Sequence, residues 1–310
     1  MLTPQSPAPK LAKAIGLDVP LYIKREDLNP YGSHKGRSIP LMMEKYAAQG
    51  VRDFVISSSG NAALAAAKYV VQRPELKLTI FVGKNIDNKK LTVIASEAKQ
   101  SQRISEIRGI ASSSASRRTP RNDRVIVKQV ANPKQAAFQM NKAGKAKNLR
   151  QSTDDSALVG YEELARELAE VKNLAAVFVP TSSGTTAQGL YLGFGKLGVK
   201  PQIHIIQTSA CHPFIQNTKY IIQNTKYSLA SAIVDKVAHR KSEIVKLLKN
   251  SHGAGWVASD EEIRAAMALI KKTEGINASP NSALALAGLV KALAAGEKFS
   301  GPVVCLFTGL

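Results

Sequence analysis

The sequence predicts an α/β protein of two domains, with mostly parallel open sheets that carry helices on both faces. Its 310 residues are enough to bury two moderate hydrophobic cores. From Leu21 onward, short apolar segments typical of strands alternate with amphipathic segments typical of helices. Such alternation is characteristic of βαβ units and a parallel sheet. We expect residues 1–38 and 154–310 to form a large domain and residues 39–153 a small one.

The first half of the chain shows the alternation most clearly. A short helical piece near residues 9–15 follows a proline-spaced start, and turn residues such as Asn29-Pro30 separate the later elements. Pro133 suits the first position of a helix. The predicted strands and helices in chain order are: strand 21–25, helix 38–48, strand 53–57, helix 61–72, strand 77–82, a helix from Asp87, strand 124–130 and a helix from Pro133.

The second half continues the pattern after a polar segment. Ser259 and Glu262 have the spacing of a capping box, in which each residue satisfies a backbone N–H at the start of a helix. The predicted elements in order are: helix 161–170, strand 176–180, helix 187–197, strand 202–207, helix 263–273, helix 281–294 and strand 302–307.

Four short stretches of small and polar residues follow strands, where open α/β sheets bind their ligands. The turn Asn29–Ser38 carries Lys35 towards a helix, and Thr308 ends the last strand. The turns Ser57–Asn61 and Thr181–Thr186 each open a helix, so their backbone N–H groups can bind an anion. We expect the first of these two turns to suit a carboxylate and the second a phosphate group.

Taken together, these motifs resemble the fold-type II pyridoxal-phosphate-dependent enzymes, whose architecture is that of the tryptophan synthase β subunit. The motifs are Ser33-His34-Lys35-Gly36-Arg37, Ser58-Ser59-Gly60-Asn61, the Ser182–Thr186 loop and Thr308-Gly309. Within that group the chain is most similar to threonine synthase. The segment Glu274-Gly275-Ile276, followed by Ser279–Leu289, strengthens the resemblance, which covers nearly the whole chain.

The resemblance implies a role for each matching residue. Lys35 would hold pyridoxal 5′-phosphate through its amine and act as general base, and Asn61 would hydrogen-bond the cofactor's phenolate oxygen. Thr308 would face the pyridine nitrogen. A hydroxyl there cannot protonate the ring, so the cofactor would favour elimination and replacement. The phosphate would be bound by Ser182, Ser183, Gly184, Thr185 and Thr186. The substrate would be bound by Ser58, Ser59, Gly60 and, as a further candidate, Arg37.

The implied reaction is that of a lyase, which converts O-phosphohomoserine and water into threonine and phosphate. The residue that binds the substrate's phosphate is left open between Arg37, Lys24 and His34. Family members usually have an aromatic residue before the lysine and an aspartate after it, whereas this chain has His34 and Gly36. Two alternatives therefore stay open: a serine or threonine dehydratase of the same fold, and an inactive relative. The expected partner is a small amino-acid substrate, and the expected assembly is a homodimer.

The net charge of +20 raises a third possibility, nucleic-acid binding. The charge is concentrated locally, however. Nine Lys or Arg but only three Asp or Glu lie between Lys89 and Arg124, and five more basic residues without an acid lie between Lys134 and Arg150. Aromatic residues make up 5% of the chain, which offers no evident surface for base stacking. We expect no specific nucleic-acid partner.

Two segments look like additions to the fold. Residues 92–122 are rich in serine and arginine and lack a core-forming period, so we expect a disordered basic insert in the small domain. Their amino-acid sequence resembles the translation products of short dispersed palindromic repeats that are found in bacterial genomes. The heptad that starts at Ile215 recurs from Ile222, which indicates a short surface duplication.

The remaining composition points to a cytoplasmic protein without a membrane partner. No apolar run reaches the roughly 18 residues that a membrane span requires, and the first residues lack the order of a signal peptide. Cys211 and Cys305 are not spaced as metal ligands, and we expect both to be reduced, packed thiols.

Overall fold

The computed structural model describes residues 2–84, 86, 92, 94, 96, 124–215 and 225–309. The helix predicted from Asp87, nearly all of the predicted insert at 92–122 and most of the duplicated heptads lie outside these residues. The chain divides into two compact units. The larger unit comprises Met1–Ser38 and Gln151–Leu310, and the smaller unit comprises Ile39–Arg150.

The described elements are numbered in chain order. The strands are β1 (Gln5–Pro7), β2 (Leu21–Arg25), β3 (Asp53–Ser57), β4 (Lys77–Gly83), β5 (Val125–Val130), β6 (Lys147–Asn148), β7 (Ala176–Pro180), β8 (Gln202–Thr208), β9 (Gly255–Ala258) and β10 (Val303–Phe307). The helices are α1 (Pro9–Ala14), α2 (Ile39–Ala48), α3 (Asn61–Val71), α4 (Pro133–Lys142), α5 (Gly160–Leu168), α6 (Thr185–Lys196), α7 (Lys241–Ser251), α8 (Asp260–Glu274) and α9 (Pro280–Ala294).

The larger unit contains a six-stranded sheet in the order β1-β2-β10-β7-β8-β9. All of its pairs are parallel except β1 with β2. The central strand β10 is buried throughout, and its successive side chains enter two different hydrophobic clusters. Cys305 packs with α8 and α9, whereas Leu306 packs with α5, α6 and α7. Both faces of this sheet are therefore covered by helices, as parallel sheets require.

The smaller unit contains a four-stranded sheet in the order β5-β4-β3-β6, and every pair in it is parallel. Val55 of β3 and Phe81 of β4 pack on Ala137 of α4 in one of its buried clusters. This arrangement and that of the larger unit confirm the predicted α/β class with mostly parallel sheets.

Sequence patterns located the long elements within a few residues, and the capping box of Ser259 and Glu262 is present. The patterns missed β1, β6 and β9, which have three, two and four residues. They also missed α7, although its buried Ile244 and Leu247 have helical spacing. Among the described residues, no helix is both long and apolar enough to span a bilayer. Cys211 and Cys305 are buried thiols.

Candidate active site

Lys35 lies on a short 3-10 helix, His34–Arg37, that follows the turn after β2. The Ser33 Oγ accepts a hydrogen bond from the Lys35 backbone N–H at 3.3 Å and so caps this helix. His34 joins the turn to the carboxyl end of β10, because its backbone N–H donates to the Thr308 carbonyl at 3.2 Å. The turn is thus fixed at the edge of the sheet where ligands bind in open α/β folds.

Gly36 is required by the packing of this turn. A Cβ atom placed on Gly36 would lie 2.6 Å from the Tyr31 Cβ and would also collide with the Asn29 side chain. The Asn29 side chain in turn accepts a hydrogen bond from the Tyr31 N–H at 3.0 Å. A glycine at this position therefore matches the close approach of its neighbours.

Lys35 is a half-buried residue whose amine has a lowered pKa. Burial lowers the pKa of Lys35 to about 8; the nearby Asp235 carboxylate opposes this change, and the Arg240 guanidinium adds to it. A lysine with this pKa is partly neutral near neutral pH. Its amine can then act as a nucleophile or as a base.

The Thr181–Thr186 loop connects β7 to α6. Gly184 is the N-cap of α6 and adopts the left-handed conformation with φ of 82°. A Cβ atom at this position would lie 2.8 Å from the Ile244 Cγ1, so the loop approaches α7 closely. Because the first N–H groups of a helix have no partner within the helix, this loop presents donors and a partial positive charge to an anion.

The loop's hydroxyl groups are held by their neighbours. Ser182 Oγ accepts hydrogen bonds from the backbone N–H groups of Val234 and Asp235, at 3.1 and 3.2 Å. Ser183 Oγ lies 2.9 Å from Thr185 Oγ1. The Val234–Asp235 segment is thereby attached to the loop and brings the Asp235 carboxylate near Lys35.

Thr308 follows β10, and its side chain is buried. Its Oγ1 donates a long hydrogen bond of 3.5 Å to the Asn281 carbonyl. The next residue, Gly309, is fixed by Ser282, whose Oγ accepts the Gly309 N–H at 3.2 Å. The start of α9 therefore positions the end of the chain beside the Lys35 turn.

Arg37 occupies a buried ionic cluster, which comprises Arg37, Lys24, Glu26, Glu167 and Thr3. The Arg37 Nε and Nη2 donate to Glu26 at 3.1 and 2.8 Å, and Nη1 donates to Glu167. Lys24 is also fully buried and donates to Glu167 and, at 2.9 Å, to the Thr3 carbonyl. Burial by itself lowers the pKa of Arg37, but the hydrogen bonds and charges of Glu26 and Glu167 outweigh it and raise that pKa.

This cluster argues against the substrate-binding role that the sequence suggested for Arg37, because carboxylates engage its guanidinium inside the protein. The same reasoning removes Lys24 from the candidates for binding a substrate phosphate. The described structure shows both side chains engaged by carboxylates within the protein. Their charge alone, read in the sequence, could not distinguish a buried ion pair from a binding site.

The Ser58–Gly60 turn and Asn61 belong to the smaller unit. The turn follows β3, and Asn61 is the first residue of α3. The Gly60 N–H donates to Ser58 Oγ at 3.3 Å, whereas the Asn61 side chain is largely buried. The structure therefore has a turn that opens a helix here, and the binding of a carboxylate by Ser58–Gly60 and the role of Asn61 stay predictions.

Asp235 and Arg240 were missed by the sequence reading. Both precede α7 in a segment without strand or helix periodicity, and they lie about 200 positions after Lys35. Recognition of α7 from its apolar spacing would have identified Arg240 as its N-cap. Nothing in the local sequence signals the approach of Asp235 to Lys35.

Tyr161 is a further buried residue that the sequence did not single out. Its ring centroid lies 6.2 Å from that of His34, and its hydroxyl makes no hydrogen bond within the described residues. Burial raises the pKa of Tyr161 to about 12, although the neighbouring polar groups of Thr186 and Gln151 oppose this change. The hydroxyl therefore stays protonated under ordinary conditions.

The donor set of the larger unit suits a ligand that has both an aldehyde and a phosphate group. The Lys35 amine can react with an aldehyde, and the helix start at Gly184 offers donors without a side chain in the way. The charges of Asp235 and Arg240 act on the Lys35 amine, and the Asp235 backbone N–H also donates to Ser182 of the loop, so Asp235 connects the lysine to the loop.

Comparison with known proteins identifies the family. The model of the family described as pyridoxal-phosphate dependent enzymes matches residues 2–309. The chain is 27% identical to threonine synthase of Bacillus sp. (strain ULM1), over 99% of this chain and 82% of that protein. It is 26% identical to threonine synthase of Synechocystis sp., over 99% of this chain and 75% of that protein.

The fold is similar to that of solved structures. Maize serine racemase superposes with a TM-score of 0.76 at 16% identity, covering 99% of this chain and 87% of that one. A fungal L-serine ammonia-lyase from Rhizomucor miehei also gives a TM-score of 0.76, at 18% identity, covering 100% of this chain and 93% of that one. The match over residues 2–309 places this chain in the family of pyridoxal-phosphate dependent enzymes, with the fold-type II architecture and pyridoxal 5′-phosphate as its cofactor.

Proposed function

We propose that this protein is a lyase of the threonine synthase type, which converts O-phosphohomoserine and water into threonine and phosphate. The observation that carries the proposal is Lys35, a lysine of pKa about 8 fixed at the carboxyl end of β10. The similarity to threonine synthases over 99% of the chain supports the choice of substrate.

Lys35 has two roles in this proposal. Its amine would hold the cofactor, and the same amine in its neutral form would serve as the base that takes the substrate's α-proton. When bound, pyridoxal 5′-phosphate supplies the electron sink for the charge that proton removal leaves on the substrate. The Asp235 carboxylate stabilises the ammonium form of Lys35 and so helps Lys35 to retain the proton it has taken.

The loop before α6 binds the phosphate end of the cofactor in this proposal. Its residues Ser182, Ser183, Gly184, Thr185 and Thr186 contribute backbone N–H groups and hydroxyls. Thr308 would offer its hydroxyl to the pyridine nitrogen, and because a hydroxyl does not protonate the ring as a carboxylic acid would, the bound cofactor would favour elimination and replacement over transamination. Asn61 contributes a hydrogen bond to the phenolate oxygen, and Ser58, Ser59 and Gly60 bind the substrate carboxylate.

A serine or threonine dehydratase of the same fold is the second candidate. Lys24 and Arg37 form ion pairs with buried carboxylates. Two of the three residues considered for binding the substrate phosphate are therefore already paired within the protein. The Asp235 carboxylate near Lys35 would also repel a second phosphate. Both features favour a substrate without a phosphate group.

Two product assays on the purified holoenzyme separate these candidates. A threonine synthase releases phosphate from O-phosphohomoserine, whereas a dehydratase releases ammonia from serine or threonine. The Lys35→Ala variant is the control, because it retains the phosphate loop but lacks the amine. Ammonia release without phosphate release would refute the first proposal, and a protein that binds the cofactor but releases neither product would be an inactive relative.

We further propose that the protein is a cytoplasmic homodimer with no specific nucleic-acid partner. Sedimentation of the holoenzyme would test its assembly. DNA titrations at two salt concentrations would test the charge, since binding that comes only from the basic residues weakens steeply as salt is added.

A further inference from the structure

Arg240 is a buried arginine at the start of α7 whose guanidinium is bound mainly by neutral groups. Its Nη1 donates to Gln188 Oε1 and Asp155 Oδ1, both at 2.8 Å. Its Nη2 donates to the carbonyls of Gln151 and Asp154, at 2.9 and 3.2 Å. The one carboxylate in this set, Asp155, is 81% exposed, so much of the charge on Arg240 is left uncompensated.

The Nε–H of Arg240 is a buried donor without a hydrogen-bond partner among the described residues. A buried guanidinium that keeps an unused donor carries a desolvation cost. Such a cost is offset when an anion binds nearby. The Arg240 charge also reaches the binding region, since it contributes to the lowered pKa of Lys35.

The Gln151 carbonyl connects Arg240 to the phosphate loop. It accepts hydrogen bonds from Arg240 Nη2 at 2.9 Å and from Thr185 Oγ1 at 3.2 Å, so these donors are separated by no more than the two bonds together. Thr185 has one hydroxyl hydrogen, which it gives to Gln151. Ser183 must therefore be the donor in its 2.9 Å contact with Thr185.

This chain of hydrogen bonds uses the hydroxyl hydrogens of both Ser183 and Thr185 within the protein. A phosphate group can receive the Thr185 hydrogen only if that hydroxyl turns away from Gln151, and the Ser183 hydrogen only if Ser183 turns away from Thr185. The Gln151 carbonyl then keeps Arg240 as its partner and is not left unsatisfied, which would otherwise cost roughly 1–3 kcal/mol. Arg240 thereby makes the hydroxyls of the loop available at little cost.

We propose that Arg240 is a positioning residue for the cofactor's phosphate: it fixes the Gln151–Asp155 segment against the loop, releases the Thr185 hydroxyl for binding and adds positive charge beside the phosphate. This inference rests on the assignment of the Thr181–Thr186 loop as the phosphate site. It also explains how a loop with Gly184 as its single glycine binds a dianion.

The test compares two ligands that differ only in the phosphate. The affinities of pyridoxal 5′-phosphate and of pyridoxal are measured by titration of apo protein, for the wild type, Arg240→Gln and Arg240→Lys. We expect Arg240→Gln to weaken pyridoxal 5′-phosphate binding by about 10- to 100-fold, given the Coulomb attraction it removes. Arg240→Lys should cause a smaller loss, and pyridoxal binding should stay within about twofold of the wild type in both when the titrations are made above about pH 9, where the Lys35 amine is mostly neutral in every variant.

Lys249→Gln is the matched control, because it removes one positive charge from an exposed position on α7. Asp155→Asn provides a test that does not disturb the core, since it removes the exposed carboxylate that partly neutralises Arg240. We expect this variant to bind pyridoxal 5′-phosphate about two- to threefold more tightly and pyridoxal unchanged.

Each outcome is decisive. Equal losses for both ligands would mean that Arg240 only supports the fold, and unchanged affinity for both would also overturn the proposal. If Arg240→Gln does not fold, Arg240→Lys and Asp155→Asn carry the same comparison. Failure of the wild-type protein to prefer the phosphorylated ligand would instead refute the phosphate-loop assignment.

Discussion

The Nδ1 atom of His34 lies 2.8 Å from the carbonyl oxygen of Thr308, so the residue before the reactive lysine is hydrogen-bonded to the end of the central strand. Burial lowers the pKa of His34 to about 3, the charge of Lys35 adds to this effect, and the Thr308 carbonyl opposes it. The imidazole is therefore neutral and donates its Nδ1–H to Thr308. A polar donor in this position fixes the turn in a way that an aromatic hydrocarbon ring cannot.

We expect His34→Phe to change how stability depends on pH. The pKa of His34 is about 3 in the folded chain and near 6.5 in the unfolded chain, so between these values only the unfolded chain is protonated. Between pH 7 and pH 5 the wild type should lose about 2 kcal/mol more of its unfolding free energy than His34→Phe does. Urea unfolding at both pH values measures this, and identical pH slopes would show that His34 is not buried as a neutral ring.

We expect the rate at which cofactor loads onto apo protein to follow the neutral fraction of Lys35. Since the pKa of Lys35 is about 8, the rate constant should rise by about tenfold per pH unit below pH 8 and level off above it. Borohydride reduction followed by peptide mapping should recover the label on Lys35. A label on another lysine would refute the assignment.

Two variants should shift, in opposite directions, the midpoint of this pH dependence, which is the pH at which the loading rate constant reaches half of its plateau value. Asp235→Asn removes a carboxylate that raises the pKa of Lys35, so the midpoint should fall. Arg240→Gln removes a charge that lowers this pKa, so the midpoint should rise. Shifts of the same sign would mean that the two side chains act on loading through the fold rather than through the Lys35 amine.

We expect Gly184→Ala to weaken cofactor binding through the shape of the loop. The new Cβ would meet Ile244 at 2.8 Å, and a left-handed backbone costs alanine about 1 kcal/mol. Gly198→Ala is the control, because Gly198 also has a positive φ of 70° but has no atom within 4 Å of the added Cβ. Both should lose similar stability from the backbone, but only Gly184→Ala should lose affinity for pyridoxal 5′-phosphate. Equal affinities would place the phosphate elsewhere.

We expect Glu167→Gln to destabilise the larger unit by about 3 kcal/mol, because it leaves Lys24 and Arg37 buried with too little negative charge. Glu163→Gln is the comparison. Glu163 lies 3.3 Å from the same guanidinium but is 41% exposed, so its loss should cost less than about 1 kcal/mol. Thermal and urea unfolding measure both, and a small effect of Glu167→Gln would reopen a ligand-binding role for Arg37.

Much of the fold could be predicted because its elements are long and periodic. Strands such as β7 and β10 are buried on both faces and appear in the sequence as continuous apolar runs. The capping box of Ser259 and Glu262 marks the start of α8. The two-residue β6 and the antiparallel β1 have no such pattern, because hydrogen bonds to a neighbouring strand define them. Those partners are distant in sequence.

The site could be predicted where turns of small and polar residues follow strands. The Lys35 turn and the loop at Gly184 combine small residues with strand ends, which is visible in the sequence. Arg240 and Asp235 act through distances that only the folded chain sets. Arg37 shows the converse, since a charged residue next to a reactive lysine looks like a binding group until its carboxylate partners are known.

The tight packing at Gly36 limits which sequences this chain can reach by single changes. An aspartate there would overlap the Asn29 side chain and press on Tyr31, so it would disturb the turn that carries Lys35. Asn29 and Tyr31 would have to change at the same time as Gly36. Position 36 is in this sense coupled to positions 29 and 31: an aspartate introduced at position 36 alone should weaken cofactor binding, because it would displace the turn that carries Lys35.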